Sequence, residues 1–154
     1  MRASRNLFVF GVVTVICVVG NAGPLGPAIQ STDEKGRQLL HVSLAEKKDG
    51  KPKATFSTEM PKIYALWKGE ALKMGDKIRA VWIAEDVGNV APKNSKITEA
   101  FVTAERSDDY GAFGLGRPID GWPVGKYRLE IYVGDKLAEA LKFTIQPGVT
   151  VELH

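Results

Sequence analysis

Histidine and cysteine are the side chains that most often act as general base, nucleophile or transition-metal ligand near neutral pH. The 154 residues of this chain hold two histidines, His41 and His154, and one cysteine, Cys17. His41 falls in an alternating apolar stretch and His154 is the last residue, so no zinc or copper spacing is present. Two carboxylates flanking a bond can hydrolyse a glycoside, and Glu99, Glu105, Glu130 and Glu139 are of the right type. Nothing in their spacing selects a pair. Asp108-Asp109 and Glu85-Asp86 offer oxygen ligands of the kind calcium takes, but the twelve-residue calcium loop is absent and both pairs fit turns. The glycines of Gly111-Ala112-Phe113-Gly114-Leu115-Gly116 precede no helix, which a phosphate-binding loop requires. The expectation is a protein that is not an enzyme, with no catalytic residue, no metal ligand and no cofactor.

Aromatic residues can do a different kind of chemistry, stacking on a sugar ring or anchoring a partner. Trp67, Trp82 and Trp122, with Tyr64, Tyr110, Tyr127 and Tyr132, are the candidates. Trp82 and Tyr127 are expected in the core, and Trp122, held between Gly121 and Pro123, as a lid over one end of the domain. By alternation Tyr132 points outward beside Arg128 and Glu130. No ligand-binding residue is assigned on these grounds.

The elements that must position these side chains read as strands. After the turn Gly121-Trp122-Pro123-Val124-Gly125, residues Tyr127, Leu129, Ile131 and Val133 alternate with Arg128, Glu130 and Tyr132, the pattern of a strand with one buried face. Further strands are expected at Gln38–Glu46, Lys53–Thr58 at an edge, Ile63–Trp67, Lys77–Glu85, Tyr110–Leu115 and Lys136–Ile145. In the last of these Leu137, Leu141, Phe143 and Ile145 face inward, while Glu139 breaks that row and is placed near the turn, past the edge of the core. Lys96–Glu105 fits either a strand or a short amphipathic helix; its β-branched residues favour the strand. Seven or eight strands with no helical period require two sheets packed face to face.

Arg2 and Arg5 precede a 13-residue apolar run, Leu7 to Val19, followed by the small-residue site Gly20-Asn21-Ala22. A bilayer-spanning helix needs about 20 residues, so the run is expected to be a cleavable signal peptide over 1–22. Ile16 precedes Cys17, which does not fit a lipid-attachment site. Residues 23–37 are expected to be a flexible leader, 38–146 the folded domain and 147–154 a C-terminal tail. Export to the periplasm or beyond permits disulfides, but Cys17 lies within the signal, so packing alone must hold the domain. Removing Arg2 and Arg5 from the 21 basic residues leaves 19 against 18 acidic ones, interspersed along the chain. No nucleic-acid stripe, basic membrane helix or membrane span after signal cleavage is expected.

With Trp82 in the middle of the third core strand and Tyr127 at the start of the sixth, the chain resembles an immunoglobulin-like sandwich from Gln38 to Gln146. The resemblance implies a two-sheet antiparallel sandwich of about seven strands, with Trp82 at its centre and the Tyr127 hydroxyl tied back to the backbone. Leu129 stands where the second cysteine of antibody domains would fall, which points to cysteine-free sandwiches. The wording Gly121-Trp122-Pro123-Val124-Gly125-Lys126-Tyr127-Arg128, closing on Lys142-Phe143-Thr144-Ile145, is also similar to a C-terminal β-sandwich module of uncharacterised bacterial envelope proteins. The expected function is an exported, non-enzymatic module, protein-binding or structural, whose partner is another envelope protein met through loops or an edge strand. The alternative is a carbohydrate-binding module that holds a glycan through surface tryptophan or tyrosine.

Overall fold

The computed structural model describes residues 38–149. The signal peptide expected over 1–22, the leader over 23–37, Cys17 and all of the tail beyond Val149, His154 included, lie outside the described residues.

Among the described residues, alternating apolar residues build eight strands: β1 (Leu40–Ala45), β2 (Thr55–Ser57), β3 (Lys62–Gly69), β4 (Lys77–Asp86), β5 (Ser95–Thr103), β6 (Tyr110–Gly116), β7 (Gly125–Val133) and β8 (Lys136–Gln146). They form two sheets, β1-β3-β6 and β2-β8-β7-β4-β5. All pairings are antiparallel except β2 on β8, which is parallel. The ambiguous stretch Lys96–Glu105 is strand β5. This is the expected immunoglobulin-like sandwich, with the strand after the tryptophan strand added to the larger sheet, as in variable-type domains.

The core lies between the sheets. On β7 the residues Tyr127, Leu129, Ile131 and Val133 are all buried, as their alternation requires. Trp82 and Tyr127 are buried as expected, but the ring that joins the core is Phe143 on β8. It stacks on Tyr127 (centroids 5.3 Å apart, 17° between planes) and meets Trp82 and Phe56 edge-on at 6.1 and 5.8 Å. Such aromatic pairs add about 0.5–1.5 kcal/mol each beyond the area they bury. The Tyr127 hydroxyl donates to the Pro123 carbonyl at 2.6 Å, which ties the entry of β7 to the preceding turn. Gly125 is needed there because a Cβ would collide with the Asp86 backbone oxygen at the end of β4.

Strand β8 departs from the expected pattern. Its register against β7 slips between Ile131 and Tyr132, so Ala138 is an extra residue on β8. The bulge turns Leu137 opposite Tyr132 on the outer face, not inward, and buries Ala138. Glu139 stays opposite Ile131 and faces the core; it is 9% exposed, so it has not left the core as the sequence suggested. Its Oε2 accepts the backbone N–H of Val42 on β1 at 2.8 Å, a bond from one sheet to the other. A donor on the β1 edge is thereby satisfied inside the protein.

Candidate functional site

The residues with catalytic potential are spread over several elements; of the carboxylates, Glu85 and Glu130 are brought together on the Arg128 guanidinium. His41 projects from β1 with its side chain 58% exposed, its Nε2 3.3 Å from Glu70 Oε1. The carboxylate of Asp109 accepts the N–H groups of Glu105 and Tyr110, and that of Asp86 accepts the N–H of Gly88. Both carboxyls titrate below their usual range, Asp109 chiefly through the Glu105 N–H and Asp86 through the Gly88 N–H and then Lys93. These are turn caps. Glu139 sits in the β1–β8 seam, Glu105 between β5 and β6, and Glu99 and Glu130 on the outer face of the larger sheet. Among the described residues no three of His, Asp and Glu converge as metal ligands would.

The tryptophans provide no platform. Trp67 and Trp122 are each only 5% exposed. Trp67 packs on Phe113 and against Gly111, where a Cβ would stand 2.9 Å from the indole ring. Trp122 does close one end of the sandwich, as its place between Gly121 and Pro123 suggested, and its Nε1 donates to the Met60 carbonyl. Stacking of a sugar on Trp67 or Trp122 is therefore not available.

Of the exposed large apolar side chains among the described residues, Ile97, Phe101 and Val102 lie on β5, more than on any other strand. As the outermost strand of the larger sheet β5 pairs, among the described residues, with β4 alone. Eight of its nine residues are exposed and the ninth, Ser95, is half-buried, so neither face of the strand is covered. Phe101 (60% exposed) lies opposite Arg79 on the outer face, with Lys77 Nζ 3.9 Å above its ring. Val102 lies opposite Ile78 on the inner side, where the three-stranded sheet does not cover it. An extra residue on β5, Ile97, interrupts the pairing with β4 between Trp82 and Ile83. Ile97 lines an apolar cleft of about 270 Å³ with Val87, Val90, Trp122, Pro123 and Tyr127.

Behind β5 the outer face is a chain of polar contacts. Glu85 and Glu130 both hold Arg128, the Tyr132 hydroxyl donates to Glu130 at 2.7 Å, Arg79 lies 4.5 Å over the Tyr132 ring, and Arg79 and Lys96 both pair with Glu99. Tyr132, expected outward beside Arg128 and Glu130, is part of this chain, and its bond to Glu130 raises the phenol's pKa. The contacts run across β7, β4 and β5 and hold the sheet that supports the open edge. The sequence did not single out β5 because Ile97, Phe101 and Val102 look like core residues until the strand order puts them at an edge. The one available signal was Lys96 and Glu99 interrupting both faces of that strand.

No family model matches the chain, and no curated protein matches it. Among solved structures it is similar to an immunoglobulin-like protein from Pseudomonas aeruginosa, at 13% identity and TM-score 0.45, over 80% of this chain and all of that one. It is also similar to part of a mutant β-glucosidase from Listeria innocua in complex with laminaribiose, at 9% identity and TM-score 0.43. That match covers 72% of this chain and 16% of the enzyme. At these scores the fold rests on the strand order, the Trp82 core and the Tyr127 corner, and no activity is carried over.

Proposed function

We propose that this chain is an exported, non-enzymatic β-sandwich module of the bacterial envelope that binds protein by accepting an extended strand along β5. The observation that carries the reading is that, among the described residues, β5 is unpaired on its outer side and exposed on both faces, with Phe101 and Val102 uncovered. Strand addition needs free backbone groups along an edge and apolar side chains beside them, and no catalytic constellation. The other edges serve this less well: β2 has three residues, β1 has a donor occupied by Glu139, and β6 carries three glycines. Export is supported by the apolar run after Arg2 and Arg5.

The test is crosslinking in intact cells that express the full chain, followed by its purification. The processed protein is expected to begin at Gly23 and to carry a crosslinked protein that is lost in Phe101→Glu. A chain retaining Met1 in the cytoplasm overturns the export reading. Equal capture by Phe101→Glu and the parent overturns the edge reading.

A further inference from the structure

We infer that the strand accepted by β5 is β5 of a second copy of this chain, so that two five-stranded sheets join edge to edge about a two-fold axis; this rests on the reading that β5 is the working edge. Sheet edges are normally blunted by bulges, charges, glycine or proline. On β5 the bulge at Ile97 and Lys96 lie at the start, and Glu99 is the single charge within Thr98–Thr103. From Thr98 to Thr103 the strand pairs regularly with β4, contains no Gly or Pro, and exposes an apolar side chain on each face.

The patch is complementary to itself, as a two-fold interface requires. With the axis at Ala100, antiparallel pairing sets Thr98 opposite Val102 of the second copy and Glu99 opposite its Phe101. Phe101 carries Lys77 over its ring and has Arg79 as its neighbour on β4. Each Glu99 would therefore meet a ring flanked by two cations of the other copy. Lys77 has no carboxylate within ion-pair distance among the described residues, so it is available for this role. At the axis Ala100 meets Ala100 with Ala80 behind each, small enough for the strands to approach without obstruction. Moving the axis one residue to Glu99 would face two carboxylates, which is unfavourable in a cross-strand pair. The Ala100 register buries Phe101 on the outer face and Val102 on the inner one in a single contact.

Sedimentation equilibrium of the purified protein over a roughly hundredfold concentration range tests the inference, because a two-fold dimer obeys mass action. The expected result is a concentration-dependent doubling of mass. Phe101→Glu on the outer face and Val102→Lys on the inner face should each raise the dimer dissociation constant at least about tenfold. Both positions are exposed, so the monomer's thermal unfolding reports whether the fold is kept. Glu99→Lys should also lose self-association, and mixing it with a Lys77→Glu variant should restore a mixed dimer. A parent protein that stays monomeric throughout overturns the second-copy inference; a Phe101-dependent crosslink in cells would then still uphold the edge reading. A dimer indifferent to both β5 variants overturns the inference; equal capture of a partner in cells by Phe101→Glu and the parent would overturn the edge reading with it.

Discussion

Glu139 is a carboxyl group buried against β1, and burial raises its pKa, with the Val42 N–H and His41 pulling it partly back down. A carboxyl whose pKa is raised on folding stabilises the native state most below the ordinary carboxylate pKa, and that contribution is lost as pH rises through the elevated value. Replacing Glu139 with Gln keeps an oxygen for the Val42 N–H and removes the buried charge. Urea unfolding of Glu139→Gln should show greater stability than the parent at neutral pH and a smaller change between neutral pH and the ordinary carboxylate pKa of about 4.3. Glu139→Leu leaves the Val42 N–H unpaired and should cost about 1–3 kcal/mol in the same assay. Tyr127 gives the opposite end of the pH scale. Burial pushes its phenol up to about 12 from an ordinary value of 10.0, so its contribution is complete below pH 10 and is lost as pH rises through about 12. Tyr127→Phe should lose on the order of 1–2 kcal/mol at neutral pH with the Pro123 bond, and should abolish that alkaline loss. Equal melting temperatures for mutant and parent at neutral pH would contradict the corner bond.

Strands β3 and β6 show how one element dictates the residues of another. Trp67 on β3 lies against Gly111 on β6, with space for hydrogen and none for a methyl group. Gly111→Ala should force the indole or β6 to shift, costing about 1–3 kcal/mol as overpacking does, measurable by denaturant unfolding. The β7–β8 hairpin turns on Gly134 with φ at 61° and Asp135 at negative φ, the arrangement of a two-residue II′ turn. The Ala138 bulge that follows sets the inward and outward residues of the first part of β8, and so decides that Leu137 faces out and Glu139 faces in. At β5 an equivalent bulge turns Ile97 towards the cleft at one end of the sandwich and leaves Thr98–Thr103 in regular register with β4.

For the whole molecule, stability comes from packing between two sheets of unequal width. Trp82, Phe56 and Tyr127 all meet Phe143, so loss of the hub should be felt across the larger sheet. Trp82→Ala and Phe143→Ala should each destabilise by about 3–5 kcal/mol, the usual cost of truncating a buried aromatic. A loss below about 1 kcal/mol for either would remove that residue from the centre of the core. The chain's single cysteine, Cys17, lies before the sandwich, so thermal unfolding should be identical with and without reductant. The inequality of the sheets, three strands against five, is also what leaves β5 without a cover.

Alternation of apolar and polar residues determined the strands, the all-β class and the two-layer packing, because a pleated strand must send successive side chains to opposite faces. Tyr127 after its Trp-Pro-Val-Gly turn, with Trp82 earlier in the chain, was enough to identify the sandwich type and its corner. Tertiary structure alone decided where each strand sits in its sheet, and hence that Phe101 and Val102 are uncovered while Trp67 and Trp122 are not. A periodic pattern specifies faces and carries no information about neighbours. The bulges at Ile97 and Ala138 were equally hidden, since one extra residue looks like any other until a partner strand supplies the register.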